Sequence, residues 1–318
     1  MKFALFLGCT IPARSRQYEM SARKVADKLG ILLEDVPGFG CCGFPLKSVD
    51  PEKTTLLAAW NLSLAEEKGL PVMTLCSACS SNLAEENHRL KHDDRLRRRI
   101  NEKLARVGKE FRGTTEVKHI LRVIHQDLGL EKITQAVKIP LTGLKVASHY
   151  GCHYLKPSEL YDKFDDPENP RSLDQIVAAI GATPVNYERV KQCCGGAVLV
   201  SDEATALGLT KDKLDAVKAS GAEAMTLVCP FCNVMYDNNQ KSIETRFASE
   251  YGLPVFYMTQ LMGLAMGVSS KDLGMNLNSV KTKELIARFS AEDEDDEKKE
   301  KKKVRKDKPG PPLQPLIK

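Results

Sequence analysis

A chain of 318 residues with 42% hydrophobic and 28% charged residues is long enough for two domains with buried cores. The net charge of +5 is small, and residues 292–308 hold eight acidic and eight basic groups that cancel, a balance that does not argue for nucleic acid, and none is expected as a partner. No stretch approaches the roughly 20 apolar residues of a transmembrane segment, and the apolar start ending at Cys9 is too short for a signal peptide. Ten cysteines then point to a reducing, cytoplasmic compartment, where thiols more often bind metal than form disulfides.

In chain order, Phe3–Leu7 reads as a strand that ends at Gly8-Cys9, and Arg16–Leu29 as a helix stopped by Gly30. Ile31–Val36 is a second strand, and the loop from Pro37 presents Cys41-Cys42-Gly43. A helix from Pro51 to about Lys68 leads to the short strand Val72–Leu75 and to Cys76-Ser-Ala-Cys79, with another helix beyond. Residues 85–138 read as a charged helical extension with an apolar stripe at Leu90, Leu96, Ile100, Leu104 and Val107. His88, Arg89, Lys91, His92, Arg95 and Arg97–Arg99 form a basic patch, either a solvated helix face or a docking surface for an anion or partner.

The design restarts at Pro140. Lys145–Cys152 repeats strand-Gly-Cys; Leu173–Ile180 is helical; a strand near Thr183–Tyr187 leads to Cys193-Cys194-Gly195-Gly196. A helix over 202–219 precedes Met225-Thr-Leu-Val-Cys229-Pro-Phe-Cys232, which parallels Met73-Thr-Leu-Cys76-Ser-Ala-Cys79. Val255–Met258 and a helix from Thr259 complete the half. A duplication near 150 residues predicts two homologous domains, 1–138 and 139–268. Residues 269–318, acidic then basic then proline-rich, have too little apolar surface to fold alone and are expected to be a disordered tail.

All ten cysteines fall into two sets of five: Cys9, Cys41, Cys42, Cys76, Cys79 and Cys152, Cys193, Cys194, Cys229, Cys232. Between successive blocks lie 31 and 33 residues in the first half, 40 and 34 in the second. Thiolates select zinc or iron–sulfur clusters. Zinc closes its tetrahedron with four ligands and an ordinary [4Fe–4S] cubane needs four cysteines, so five per set suggest an unusual cluster. The glycine after each doublet is expected to let the backbone approach the cluster and offer amide N–H groups to its sulfurs.

This twice-repeated pattern resembles the CCG-domain family, and within it the B subunits of heterodisulfide reductases. Tyr150-Gly-Cys-His153, Asp166-Pro-Glu-Asn-Pro170 and Cys229-Pro-Phe-Cys232 strengthen the likeness, which covers about residues 1–265. The resemblance implies two non-cubane [4Fe–4S] clusters, one per five-cysteine set, facing each other across the domain interface and splitting a disulfide with one electron and one sulfur each. It also implies electrons arriving from an iron–sulfur C subunit and a flavin-containing A subunit, since this chain has no flavin fingerprint. The expected fold is α/β: two Rossmann-like domains, each a small parallel sheet with flanking helices and a cluster site, plus the tail. The expected location is the cytoplasm, alone or within a larger complex at the membrane surface.

His153, beside Cys152, is the candidate acid for the departing thiolates, with His149 a weaker one; either serves equally as a support for a ligand. Competing readings are an electron-transfer subunit of a sulfur- or hydroxy-acid-oxidising complex, and a zinc-stabilised scaffold. Relatives of the electron-transfer kind often carry ferredoxin-type Cys-x2-Cys-x2-Cys-x3-Cys-Pro runs, which this sequence lacks.

Overall fold

The computed structural model describes residues 1–289. Two four-stranded parallel sheets of identical design carry the fold. In the first, β1 (Lys2–Phe6) pairs with β2 (Leu32–Asp35) on one side and β3 (Val72–Thr74) on the other, and β4 (Val117–His119) extends beyond β3. In the second, β5 (Lys145–His149) lies between β6 (Thr183–Pro184) and β7 (Ala224–Leu227), with β8 (Val255–Tyr257) outermost. The orders are β2-β1-β3-β4 and β6-β5-β7-β8. Helical crossovers cover both faces, so the central strands are almost wholly apolar; every residue of β3 and β7 is buried.

The topology fixes where a site can form. From β1 the chain first moves out to β2 and then returns to the opposite side at β3. That reversal opens a crevice at the carboxyl ends of β1 and β3, and likewise of β5 and β7. Cys9 and Cys76 follow the first two strands, Cys152 and Cys229 the second two.

Two expectations are corrected. The stretch 85–138 is not helical throughout. Its helices Ser77–His92 and Asp94–Ala105 are separated at Asp93, whose carboxylate caps the second by accepting from Leu96 N (2.9 Å). Within the same stretch β4 completes the sheet, and three residues are too few to display an alternating pattern. Leu90, Leu96, Ile100 and Leu104 are buried as expected, whereas Val107 is exposed.

Nor does order end at residue 268. Residues 269–289 form a strap with short helical turns at Met275–Leu277 and Lys283–Ile286, burying Leu273, Met275, Ile286 and Phe289. Asp237 accepts from Ser279 N (2.8 Å) and Val280 N (2.9 Å), and Asn278 Nδ2 donates to Val255 O (2.7 Å). This segment folds on surface supplied by the rest of the chain, which its own composition does not reveal. The charged and proline-rich part of the expected tail, 290–318, lies outside the described residues.

The two halves share one continuous apolar core. Tyr18 stacks on Tyr257 with centroids 3.9 Å apart, and Ser21 Oγ meets Thr259 Oγ1 at 2.7 Å, both across the domain boundary and fully buried. His119 Nε2 lies 3.0 Å from Leu75 O and 3.1 Å from Val228 O, linking the residues just before Cys76 and Cys229.

Candidate metal centres

Each set is assembled by three short backbone devices. The first is a glycine with positive φ at the end of the central strand, Gly8 (66°) or Gly151 (71°), which turns the chain so that the next residue is a cysteine. A β-carbon on Gly8 would sit 3.0 Å from Cys79 Sγ, so this backbone closely approaches the thiol cluster. The second is the Cys-Cys-Gly loop. Gly43 and Gly195 adopt φ of 96° and 84°, and a β-carbon there would meet Thr54 O at 2.9 Å and Ala206 O at 2.7 Å. The glycine therefore lets the loop lie against the helix that follows. Its amide does turn to sulfur: Gly43 N donates to Cys41 Sγ and Gly195 N to Cys193 Sγ, both at 3.4 Å. Phe44 N and Gly196 N donate likewise to Cys42 Sγ (3.5 Å) and Cys194 Sγ (3.3 Å).

The third device is the Cys-x-x-Cys segment. Cys76 and Cys229 occupy the position just before a helix, and Cys79 and Cys232 fall in its first turn. Helix starts carry unpaired N–H groups that favour thiolates.

The structure brings all ten cysteines together as two sets, and none is in a disulfide. Thiol–thiol contacts run Cys9–Cys41–Cys42–Cys79–Cys76 in one and Cys152–Cys193–Cys194–Cys232–Cys229 in the other. The two chains of sulfur meet, because Cys76 also contacts Cys229 across the domain boundary. Exposure is graded identically: Cys9 and Cys152 are exposed, Cys41 and Cys193 half-buried, the other six buried.

So many thiols cannot all ionise in one cavity without a cation. Donation from Cys41 and Cys79 pulls Cys42 down to about 4, and donation from Cys152 and Cys194 pulls Cys193 down to about 2. Cys9, Cys152, Cys76, Cys79 and Cys232 are pushed up, chiefly by thiol neighbours that take the charge first and then by burial. A metal that replaces these protons relieves the conflict. Converging thiols, six of the ten buried, and amide N–H groups aimed at sulfur together fit an iron–sulfur cluster in each set.

The second set has a polar neighbour that the first lacks among the described residues. His149 Nε2 lies 3.2 Å from Cys232 Sγ, and its Nδ1 lies 3.1 Å from Lys213 Nζ. An ammonium has only donors, so Nδ1 accepts and Nε2 carries the hydrogen that faces sulfur. Lys213 is fully buried, and its other partners are the carbonyls of Val190 (3.0 Å) and Gln192 (2.6 Å). Burial pulls it down to about 8, and the charges that oppose this are cysteines of the second set. Burial, and then Lys213, holds His149 well below its ordinary value. His149, Cys194 and Cys232 place their donor atoms within 4.8 Å of one another.

The family model of the CCG cysteine-rich domain matches residues 3–84 and again 146–237. The chain belongs to the CCG family. This CCG protein is 35% identical over 292 residues to the B subunit of the Ferredoxin/F(420)H(2)-dependent CoB-CoM heterodisulfide reductase of Methanosarcina acetivorans, covering 91% of this chain and 97% of that one. It is equally 35% identical, over 285 residues, to the 8-methylmenaquinol:fumarate reductase membrane anchor subunit of Wolinella succinogenes, covering 89% of this chain and 99% of that protein. Among solved structures it is similar in fold to a hypothetical protein from Helicobacter pylori, with TM-score 0.72 and 17% identity, over 88% of this chain and 52% of that one. No helix among the described residues is long and apolar enough to cross a membrane.

Of the two histidines singled out from sequence, His153 of this CCG protein sits half-buried between the halves. Its Nδ1 is 3.2 Å from Ser81 Oγ, two residues past Cys79, and its ring packs edge-on against Phe44 at 4.9 Å. Burial draws it below its ordinary value. The basic patch is divided. Arg89 pairs with Glu86 (2.8 Å) and Arg97 with Asp94 (2.6 Å), while His88 and Lys91 line a cavity that also holds Glu116, Glu159 and Asp162.

Lys213 went unnoticed in the sequence, although a signal was there. In the helix Glu203–Ala219 it shares the buried stripe of Leu207, Thr210, Leu214 and Val217, where a lysine has no business without a partner.

Proposed function

We propose that this CCG protein is the disulfide-handling subunit of a heterodisulfide reductase-like complex, with one non-cubane [4Fe–4S] cluster held by each five-cysteine set. The observation that carries the proposal is the seam where Ser77, next to Cys76, donates to Val228 O (3.1 Å), next to Cys229, and His119 bridges Leu75 O and Val228 O, so that the two Cys-x-x-Cys segments lie side by side at the domain interface. Breaking an S–S bond consumes two electrons and two protons and yields two thiols; the opposite direction releases them. When bound, an iron–sulfur cluster exchanges electrons one at a time, so a two-electron bond suits two adjacent sites.

The chain's own residues divide the work. The six buried cysteines form an inner wall that keeps water out, and Cys9, Cys41, Cys152 and Cys193 form the accessible rim. His153 is the proposed proton donor at that rim, positioned by Ser81 and Phe44 of the other half. Electrons are proposed to come from an iron–sulfur C subunit, itself supplied by a flavin-containing A subunit.

A second reading is an electron-transfer subunit without disulfide chemistry. The name of the Wolinella relative, at the same identity as the Methanosarcina one, favours keeping it. Anaerobic purification with the partner subunits, metal analysis and assay against candidate disulfides separates the two. About eight irons per chain together with disulfide turnover is the expected result. Eight irons with no turnover of any disulfide assigns the relay role, and two zincs without iron overturns both.

A further inference from the structure

The duplication makes the two sets directly comparable, and the comparison exposes an asymmetry in what surrounds them. Cys41, Cys42 and Asp50 lie 152 residues before Cys193, Cys194 and Asp202; by the same offset Lys213 corresponds to Asn61. Both side chains reach the backbone of the Cys-Cys-Gly loop. Asn61 Nδ2 donates to Cys41 O (3.0 Å) and its Oδ1 accepts from Gly40 N (2.9 Å), whereas Lys213 Nζ donates to Gln192 O and Val190 O. His149 corresponds to Phe6, each three residues before its strand-end cysteine. A β-carbon on Gly8 would meet Phe6, and one on Gly151 would meet His149, which confirms the match.

One set thus has a neutral amide and a phenyl ring where the other has a buried ammonium and an imidazole N–H that faces Cys232 Sγ at 3.2 Å. Lys213 is fully buried, and among the described residues none of its hydrogen-bond partners is a carboxylate. A buried cation without an acid partner is costly unless another anion answers it, and the anions at hand are the thiolates of the second set.

We infer that Lys213, acting through His149, makes the C-terminal five-cysteine site the easier of the two to reduce. The inference rests on the iron–sulfur reading proposed above. Reduction adds one negative charge to the site. A fixed positive charge in a low-dielectric pocket, relayed as a hydrogen bond to a ligand sulfur, stabilises the reduced form over the oxidised one. Among the described residues, the N-terminal site has Phe6 and Asn61 in their place. The first of two electrons therefore rests at the C-terminal set, and Lys213 and His149 are positioning residues that set the order.

The test is a potentiometric titration of the anaerobically purified, iron-loaded full chain, followed by electron paramagnetic resonance. Two one-electron couples with different potentials are expected. His149→Phe severs the link to Cys232 yet keeps the carbonyl partners of Lys213, and Lys213→Asn copies the first half. Each is expected to lower the higher couple at least tenfold in its equilibrium constant, equivalent to 59 mV for one electron, and to leave the lower couple in place. The reverse graft, Phe6→His with Asn61→Lys, should raise the lower couple, so the inference does not hang on one variant folding. Coincident couples in the wild type, or full iron content and unmoved couples in His149→Phe, would sink it. A wild-type chain with no iron–sulfur signal overturns the underlying cluster reading instead.

Discussion

At the scale of single residues, what distinguishes this chain is that each cysteine has a geometric counterpart. Cys42 and Cys194 lie at the middle of their sulfur chains, buried, each touching the doublet partner and the second cysteine of Cys-x-x-Cys. Removing one such thiol breaks the continuity of its own set and leaves the other set's protein contacts intact. Under the proposed two-cluster reading, Cys42→Ser and Cys194→Ser are each expected to lose about half of the iron, roughly four of eight, and all of the proposed disulfide turnover. Iron analysis with electron paramagnetic resonance checks this; loss of all iron from one substitution would mean that the sets load as a unit. All ten cysteines were legible in the sequence because spacing and duplication are properties of the chain itself. The partners Lys213 and Asn61 were not, because a residue's role toward a cluster depends on which helix face the fold turns inward. The contact of His153 with Ser81 was hidden for a related reason: 72 residues separate them.

At the scale of elements, the doublet loop and the helix after it act as one unit. The loop lies against the helix so closely that a methyl group at Gly43 or Gly195 would overlap a backbone carbonyl, and both residues have positive φ. Gly195→Ala and Gly43→Ala are expected to destabilise the folded chain by about 1–3 kcal/mol from backbone strain, with further loss from the overlap. Denaturant midpoints measure the effect, and an unchanged midpoint would show that the loop can move away without cost.

The strap at 269–289 behaves as an element of a different kind. Leu273 fits against Gly263, where a β-carbon would sit 2.3 Å from it, and Gly274 lies against Gln17 in the other half. Ending the chain after Val268 would expose the surfaces that Leu273, Met275, Ile286 and Phe289 cover. At about 1.5–3 kcal/mol for each fully buried apolar side chain, such a truncation is expected to unfold the second half or leave it aggregated. A truncated chain with the melting temperature of the full one would contradict this. The strap was illegible because its apolar residues are scattered; β4 because a three-residue strand is defined by the neighbour it pairs with. The strands and helices around the cysteines were legible because their apolar runs and capping residues are local.

At the scale of the whole molecule, the proposed joint action of the two sets needs the halves to stay in register, and His119 is one fastener. Its Nε2–H points at Leu75 O and Val228 O, one carbonyl from each half, and its Nδ1 accepts from Leu121 N at 3.3 Å. Both ring nitrogens are therefore committed in the neutral form, and a second proton would face an N–H with no acceptor in reach. Burial is the main reason the group is pulled down to about 4, outweighing the two carbonyls that favour the cation. The unfolded chain would titrate this histidine near 6.5. Above that value His119 is neutral whether folded or not and adds no pH dependence. As the pH falls from about 6.5 toward 4 the unfolded state binds a proton that the folded state refuses, and stability declines by up to about 3 kcal/mol over that window. Below about 4 both states are protonated and this loss stops growing. His119→Gln, which keeps an N–H for the carbonyls and has nothing to titrate, is expected to be less stable than wild type at pH 7.5 and to close the gap by pH 5. Urea midpoints of both proteins at those two pH values decide the matter, and a gap that stays constant would show that His119 is not what ties the register of the two sulfur sets to acidity.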